Sequence, residues 1–202
     1  VLSSKLSADN VIINRRLKFM NREITASLIY MCLDLNIWVA NLRADRMGKQ
    51  GSACQSLVET VKCGSCSLGG VQLIISYGML NRLRLTLVQK LHIPETVADA
   101  YISLIERYAR FGPAGKEPQL SLGGTGIIPL RDTEDVHVLE TAISGRAVVL
   151  ITENFKDFVS KDTNIVSPKQ HAIHFSPAHT LHIVHPYLMM SWIRAGYIPP
   201  PS

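Results

Sequence analysis

No stretch of about 18 uninterrupted apolar residues occurs in this chain, so no membrane-spanning helix is expected. Its first residues lack the charged, then apolar, then small-residue order of a secretory signal. Four cysteines in 202 residues do not make a disulfide scaffold. Cys63-Gly64-Ser65-Cys66 has the spacing of half a zinc site, but no second Cys-x-x-Cys pair exists to complete four ligands. Gly69-Gly70 follows at once, so the pair does not open a helix as a redox motif would. Reduced, structural cysteines and a cytoplasmic location are the expectation. Internal repeats and low-complexity blocks are absent. Neither sign of charge dominates strongly: Lys and Arg outnumber Asp and Glu 21 to 16, for a net charge of +5 and a pI near 9.1. Such a balance favours a phosphate-bearing partner, because Lys and Arg contacts supply most non-specific nucleic-acid affinity. An ordinary mildly basic protein has the same balance.

What is present is apolar material, 47% of the chain, enough for one globular domain with a sizeable core. Residues 1–27 are polar and mixed, and read as an N-terminal extension without chemistry of its own. Leu28–Leu33 is a continuous apolar run, the pattern of a fully buried parallel strand. It ends at Asp34-Leu35-Asn36, and a helical pattern begins at Ile37. Residues 52–62 carry apolar positions on one helical face. The loop CGSCSLGG leads into a strand over 71–75, Ser76 caps a helix over about 79–91, and Pro94 opens another over 95–111. Glycines and prolines in 112–126 predict a long surface loop, followed by a short strand over 127–130. An amphipathic run and a strand over 148–151 come next. Beyond Phe158 come a polar stretch and the segment Ala172-Ile173-His174-Phe175; a last strand is expected at 181–184, and a last helix over 188–194 stopped by Gly196. The Pro-rich tail, 197–202, cannot continue it. Alternating strands and helices predict an α/β fold with a parallel sheet and right-handed crossovers, in a domain spanning 28–196.

Several acids fall where strands should end: Asp34, the Arg131-Asp132-Thr133-Glu134-Asp135 segment, and Asp157 in Thr152-Glu153-Asn154-Phe155-Lys156-Asp157. Open α/β sheets bind ligands outside the carboxyl ends of their strands. Carboxylates gathered there bind a hard cation such as Mg²⁺ or Mn²⁺. Asp34 follows a fully apolar run and has few bland explanations. Asp132 has one, as a helix cap with Asp135 in the first turn. Asp157 has another, as a solvated loop acid. Glu59 and Glu140 read as surface residues of their helices.

With these acids placed, the chain resembles the PIN-domain family, which includes the ribonuclease toxins of prokaryotic toxin–antitoxin pairs. The family's opening strand ends in Asp-Thr-Asn before an apolar helix; here it is Asp34-Leu35-Asn36-Ile37-Trp38-Val39. Its third acidic motif is similar to Arg131-Asp132-Thr133-Glu134-Asp135-Val136-His137-Val138-Leu139-Glu140-Thr141-Ala142. A Gly-x-Ala, here Gly145-Arg146-Ala147, then leads through a strand to a Thr-rich acidic turn. Two departures stand out. The helix after the second strand usually carries an acid, where this chain has Asn81-Arg82. The acid after the fourth strand's Thr appears as Glu153-Asn154 or has slipped to Asp157.

The resemblance implies a three-layer α/β/α fold with a mainly parallel central sheet, and a metal-dependent endoribonuclease using Mg²⁺ or Mn²⁺. It assigns Asp34 and Asp135 to metal contact, with Asp132 on the same face and Asp157 completing the cluster. Asn36 orients Asp34 or meets the phosphate, and Thr152 hydrogen-bonds a carboxylate. Asn154 joins them on the substrate side, as does Arg82 from the position of the missing acid. The implied partners are RNA, an antitoxin protein and a second copy of the chain, with Trp38, Val39, Leu42 and the helix after Pro94 as interface material. A degenerate RNA-binding or protein-interaction module is the alternative, favoured by the altered second motif. A third reading is a zinc protein built on His171, His174, His179, His182 and His185; neither His-x-x-His pair fits a helical metalloprotease pattern.

Overall fold

The computed structural model describes residues 28–119, 133–158, 160–176 and 179–201, with the side chains of 133–135 excluded. The expected strand at 127–130 lies outside them. Strand β1 (Leu28–Leu33) passes into helix α1 (Leu35–Arg46) through a single residue, Asp34, which caps the helix. Helix α2 (Ala53–Cys63) starts at a reciprocal capping box between Ser52 and Gln55 and stops at Gly64, whose φ of 67° suits a residue without a Cβ. The CGSCSLGG segment is not the plain loop expected. Ser65–Cys66 forms a short strand, β2, antiparallel to β3 (Gly69–Ile74). Ser76 caps α3 (Tyr77–Leu85), which starts two residues earlier than expected and gives way to a π turn over Thr86–Lys90. Pro94 opens α4 (Glu95–Arg110). Helix α5 (Thr133–Ser144) leads to β4 (Val149–Ile151). The approach is tight, because a side chain at Gly145 would collide with Ile74 and Gln119.

The C-terminal third is less regular than expected. After a 3₁₀ turn (Phe155–Phe158) comes an antiparallel meander of β5 (Thr163–Ser167), β6 (His171–Phe175) and β7 (Thr180–Val184), then α6 (Pro186–Ala195). The sheet runs β2-β3-β1-β4-β7-β6-β5. Its middle, β3-β1-β4-β7, is wholly parallel, with antiparallel pairs at each edge. Consecutive residues of the central strands are buried, including Met31, Cys32 and Leu33 on β1 and Val149, Leu150 and Ile151 on β4. Both faces of those strands are therefore covered, the condition a parallel sheet requires. Helix α2 packs on α1, α6 and β3, α4 on α3 and β3, and α5 on β1 and β4. This is the expected α/β architecture, a mostly parallel sheet flanked by helices. Among the described residues, no helix is long and apolar enough to cross a membrane.

Candidate active site at the carboxyl edge of the sheet

Register fixes which residues meet. Leu33 pairs with Ile151 and Ile151 with Val184, so the residues that leave β1, β4 and β7 stand side by side. They are Asp34, Thr152 and His185. Backbone bonds bind the row together: Asp34 N donates to Ile151 O and Thr152 N to Val184 O, both at 3.0 Å. Distant parts of the chain therefore deliver Asp34 and Thr152 to one place because β1 and β4 are parallel neighbours.

Asp34 is 6% exposed, a carboxylate at the end of an apolar strand. Its Oδ1 accepts the Leu35 N–H at 2.6 Å. Oδ2 accepts the Asn36 amide at 2.6 Å and the Thr152 hydroxyl at 2.7 Å. Thr152, fully buried, gives its one proton to Asp34 and accepts from Asn36 Nδ2 at 3.1 Å and from the Asn154 N–H at 2.9 Å. That fills the hydroxyl's capacity and fixes its direction. Asn154 then bonds the Asp157 carboxylate through its side-chain amide. Asp34, Asn36, Thr152, Asn154 and Asp157 thus form one continuous chain of hydrogen bonds.

Burial pushes the Asp34 carboxyl up to about 6 from an ordinary 3.8; the nearby Asp157 charge adds to the rise, while the bonds from Thr152, Leu35 and Asn36 oppose it. The donor set fits a divalent cation: hard carboxylate oxygens, like charges held close, and a lone pair of Oδ1 left over after the three bonds. Two carboxylates do not make a complete cage, and no group of three or more such ligands is found among the described residues. Asp132 lies outside the described residues. Asp135 is on α5, a helix packed on β1, β4 and the 3₁₀ turn that carries Asp157, but its side chain is not described. Arg82 is half-buried on α3, and the bonds that reach Asp34 come from Leu35, Asn36 and Thr152 instead.

Sequence reasoning missed three features of this edge. The Cys54 thiol, in the first turn of α2, meets the Glu153 carboxylate at 3.4 Å. Burial and that carboxylate push the thiol up to about 12, which leaves it inert. Ser76, at the end of β3, accepts from the Thr141 hydroxyl at 3.0 Å and ties α5 to the same edge. His185 caps α6 beside Thr152. All three depend on which strands and helices are neighbours, which spacing along the chain does not show.

The His-x-x-His pairs do not form. His171 Nε2 and His182 Nδ1 lie 2.9 Å apart on neighbouring strands, both buried, with their rings edge-on to Trp192 of α6. Trp38, expected as interface material, is fully buried in the chain's own core.

A family model described as PIN domain matches residues 30–156, more than half of the chain. The match runs from within β1 to Lys156, one residue short of Asp157, and ends before the C-terminal meander. No curated protein and no solved structure matches significantly.

Proposed function

The chain belongs to the PIN-domain family, a family of nucleases, and from that premise we propose that it is a metal-dependent endoribonuclease hydrolysing single-stranded RNA. One observation carries the reading: the buried Asp34 carboxylate, locked by Thr152 and Asn36 beside Asp157, at the sheet edge where α/β folds bind ligands. Asp34 and Asp157 would hold Mg²⁺ or Mn²⁺ together with Asp135 and Asp132. When bound, the cation supplies charge neutralisation at the phosphate and a more acidic water. The chain's own part is positional. Thr152 holds Oδ2 of Asp34 and leaves Oδ1 directed away from the bond. Asn36 bridges Asp34 to Thr152, so the acid cannot rotate without breaking both contacts. Asn154 fixes Asp157 in the same way. Arg82 contributes positive charge toward the substrate backbone.

The four free cysteines suit a reducing, cytoplasmic location. The resemblance to toxin-type members supports a toxin role with an antitoxin partner, which co-purification from a host carrying the neighbouring gene tests. A homodimer would now have to use α4, where Val97 and Leu104 are exposed, rather than Trp38; light scattering decides it. The second reading, a PIN fold that binds RNA without cutting it, is favoured by Arg82 at the family's acid position. Purified protein cutting RNA with Mg²⁺ or Mn²⁺, and losing that activity in Asp34→Asn and Asp135→Asn, supports the nuclease. Binding without cutting under either metal supports the module.

A further inference from the structure

Beyond the acids, the same edge carries an exposed aromatic pair. His185 leaves β7 next to Thr152, two strands over from Asp34. Adjacent strands lie about 4.8 Å apart, so His185 stands roughly 10 Å from Asp34 along the edge. It caps α6, and its ring nitrogen accepts the Tyr187 N–H at 3.4 Å. The two rings stack, with centroids 5.3 Å apart and planes 28° from parallel. Pro186 and Met189, which flank Tyr187 on the helix, are buried, yet Tyr187 itself is 71% exposed. One face of its ring rests on His185 and most of the rest meets solvent. The fold makes no use of this apolar surface for its core.

A cation lies on the adjoining turn. The His185 N–H donates to Gln170 O at 2.9 Å, which fixes the β5–β6 turn against the start of α6. That turn presents Lys169, exposed and held with a φ of 61°. An open aromatic face two strands over from Asp34, with a lysine on the adjoining turn, matches what single-stranded nucleic acid requires: a surface for a base and a charge for a phosphate.

We propose that the stacked Tyr187–His185 pair is a base-stacking subsite that receives one unpaired nucleobase of a single-stranded substrate, with Lys169 meeting the adjoining phosphate. The proposal rests on the nuclease reading for its substrate class. It accounts for a preference for single strands, because a base within a duplex cannot offer its face to a protein ring. Its specificity is for unpaired structure rather than for sequence, since every base has a face to stack.

The test is fluorescence anisotropy of a fluorescein-labelled single-stranded oligoribonucleotide, with Ca²⁺ in place of Mg²⁺, against an otherwise identical oligomer of abasic riboses. Tyr187→Ala is expected to weaken binding of the normal oligomer about tenfold, in line with the loss of one stacked base. Tyr187→Phe, which keeps the ring, should bind as the wild type does. The abasic oligomer should bind wild type and Tyr187→Ala alike. Circular dichroism of each variant establishes that the fold is kept. Equal affinity of wild type and Tyr187→Ala for the normal oligomer overturns the subsite, as does an equal loss on the abasic oligomer. A separate cleavage assay with Mg²⁺ or Mn²⁺ keeps the two ideas apart. A wild type that binds with the Tyr187 dependence but never cuts overturns the nuclease reading and leaves the subsite standing.

Discussion

Two of the places where this protein buries titratable side chains do so to opposite ends. At the carboxyl edge, Asp34 is buried with a second acid close by, and its carboxyl is pushed up to about 6. Under α6, His171 and His182 are buried against each other and against Trp192, and burial pushes His182 down to about 4. Desolvation drives each group toward its neutral form. The difference lies in what surrounds them. The histidines bond one another, and no group of three metal ligands forms around them among the described residues. Asp34 keeps a lone pair at the carboxyl edge, with Asp157 as a second acid nearby. A self-contained polar pair is a structural element; a buried, destabilised carboxylate at a ligand-binding edge is the kind of group that functional sites collect.

The largest expected effect comes from removing the Asp34 charge. Asp34→Asn should lower RNA cleavage by at least about 100-fold, the scale set by loss of a charge-stabilising group. The same substitution should flatten the dependence of the apo protein's stability on pH. The folded-state value of about 6 stands above the ordinary 3.8, so between these values the folded chain keeps a proton that the unfolded chain has released. Stability therefore falls as pH rises from about 4 to 6, and the wild type carries that cost at pH 7. Asp34→Asn should abolish that fall between about pH 4 and 6, read from urea midpoints, while the loss of one acceptor oxygen costs stability at every pH.

Next comes the histidine pair, whose titration runs the other way. His182 is depressed from 6.5 to about 4, so the unfolded chain takes up its proton first. Its stability contribution is complete above the unfolded value and is lost as pH falls through the folded one. His182→Leu should flatten the acid side of the stability curve, yet cost about 1–3 kcal/mol at pH 7 by leaving His171 without its buried partner. His171→Leu with His182→Leu should recover much of that cost. A single substitution with no cost would erase the contrast between the two regions.

These contrasts were unevenly legible in the sequence. β1 and Asp34 stood out because a buried parallel strand is a continuous apolar run, and an acid directly after it needs a reason. Ser76 and Pro94 announced their helices through caps and fixed φ angles. Strand β5 did not show, because Thr163–Ser167 is an edge with most residues outside the core and lacks the alternation of a half-buried strand. β2 is only two residues long. A bond from Thr152 to a carboxylate was expected; that the carboxylate is Asp34 follows from β1 and β4 being parallel neighbours. The His171–His182 contact was not, because it is set by the β6–β7 register, a property of pairing and not of spacing along the chain.

A smaller effect is expected at Thr152. Thr152→Val keeps the volume but removes the hydroxyl that joins Asp34, Asn36 and Asn154. Cleavage should fall about 10- to 100-fold, as for other groups that orient a metal-binding carboxylate. A loss as large as that of Asp34→Asn would make Thr152 more than a positioning residue. The smallest effect belongs to Lys169. Lys169→Ala should weaken RNA binding modestly and reduce the slope of log affinity against log salt by about 0.7, the share of one phosphate contact on a single strand.

The most direct measurement is Mn²⁺ binding followed by electron paramagnetic resonance of the free ion, for wild type and Asp34→Asn at pH 7 and pH 5. The wild type should bind Mn²⁺ at pH 7 and much more weakly at pH 5, where protons compete for a carboxyl that titrates near 6. Asp34→Asn should bind weakly at both. Equal Mn²⁺ binding by the two proteins, or wild-type binding indifferent to pH across this window, would contradict the assignment of Asp34 as the metal-binding carboxylate.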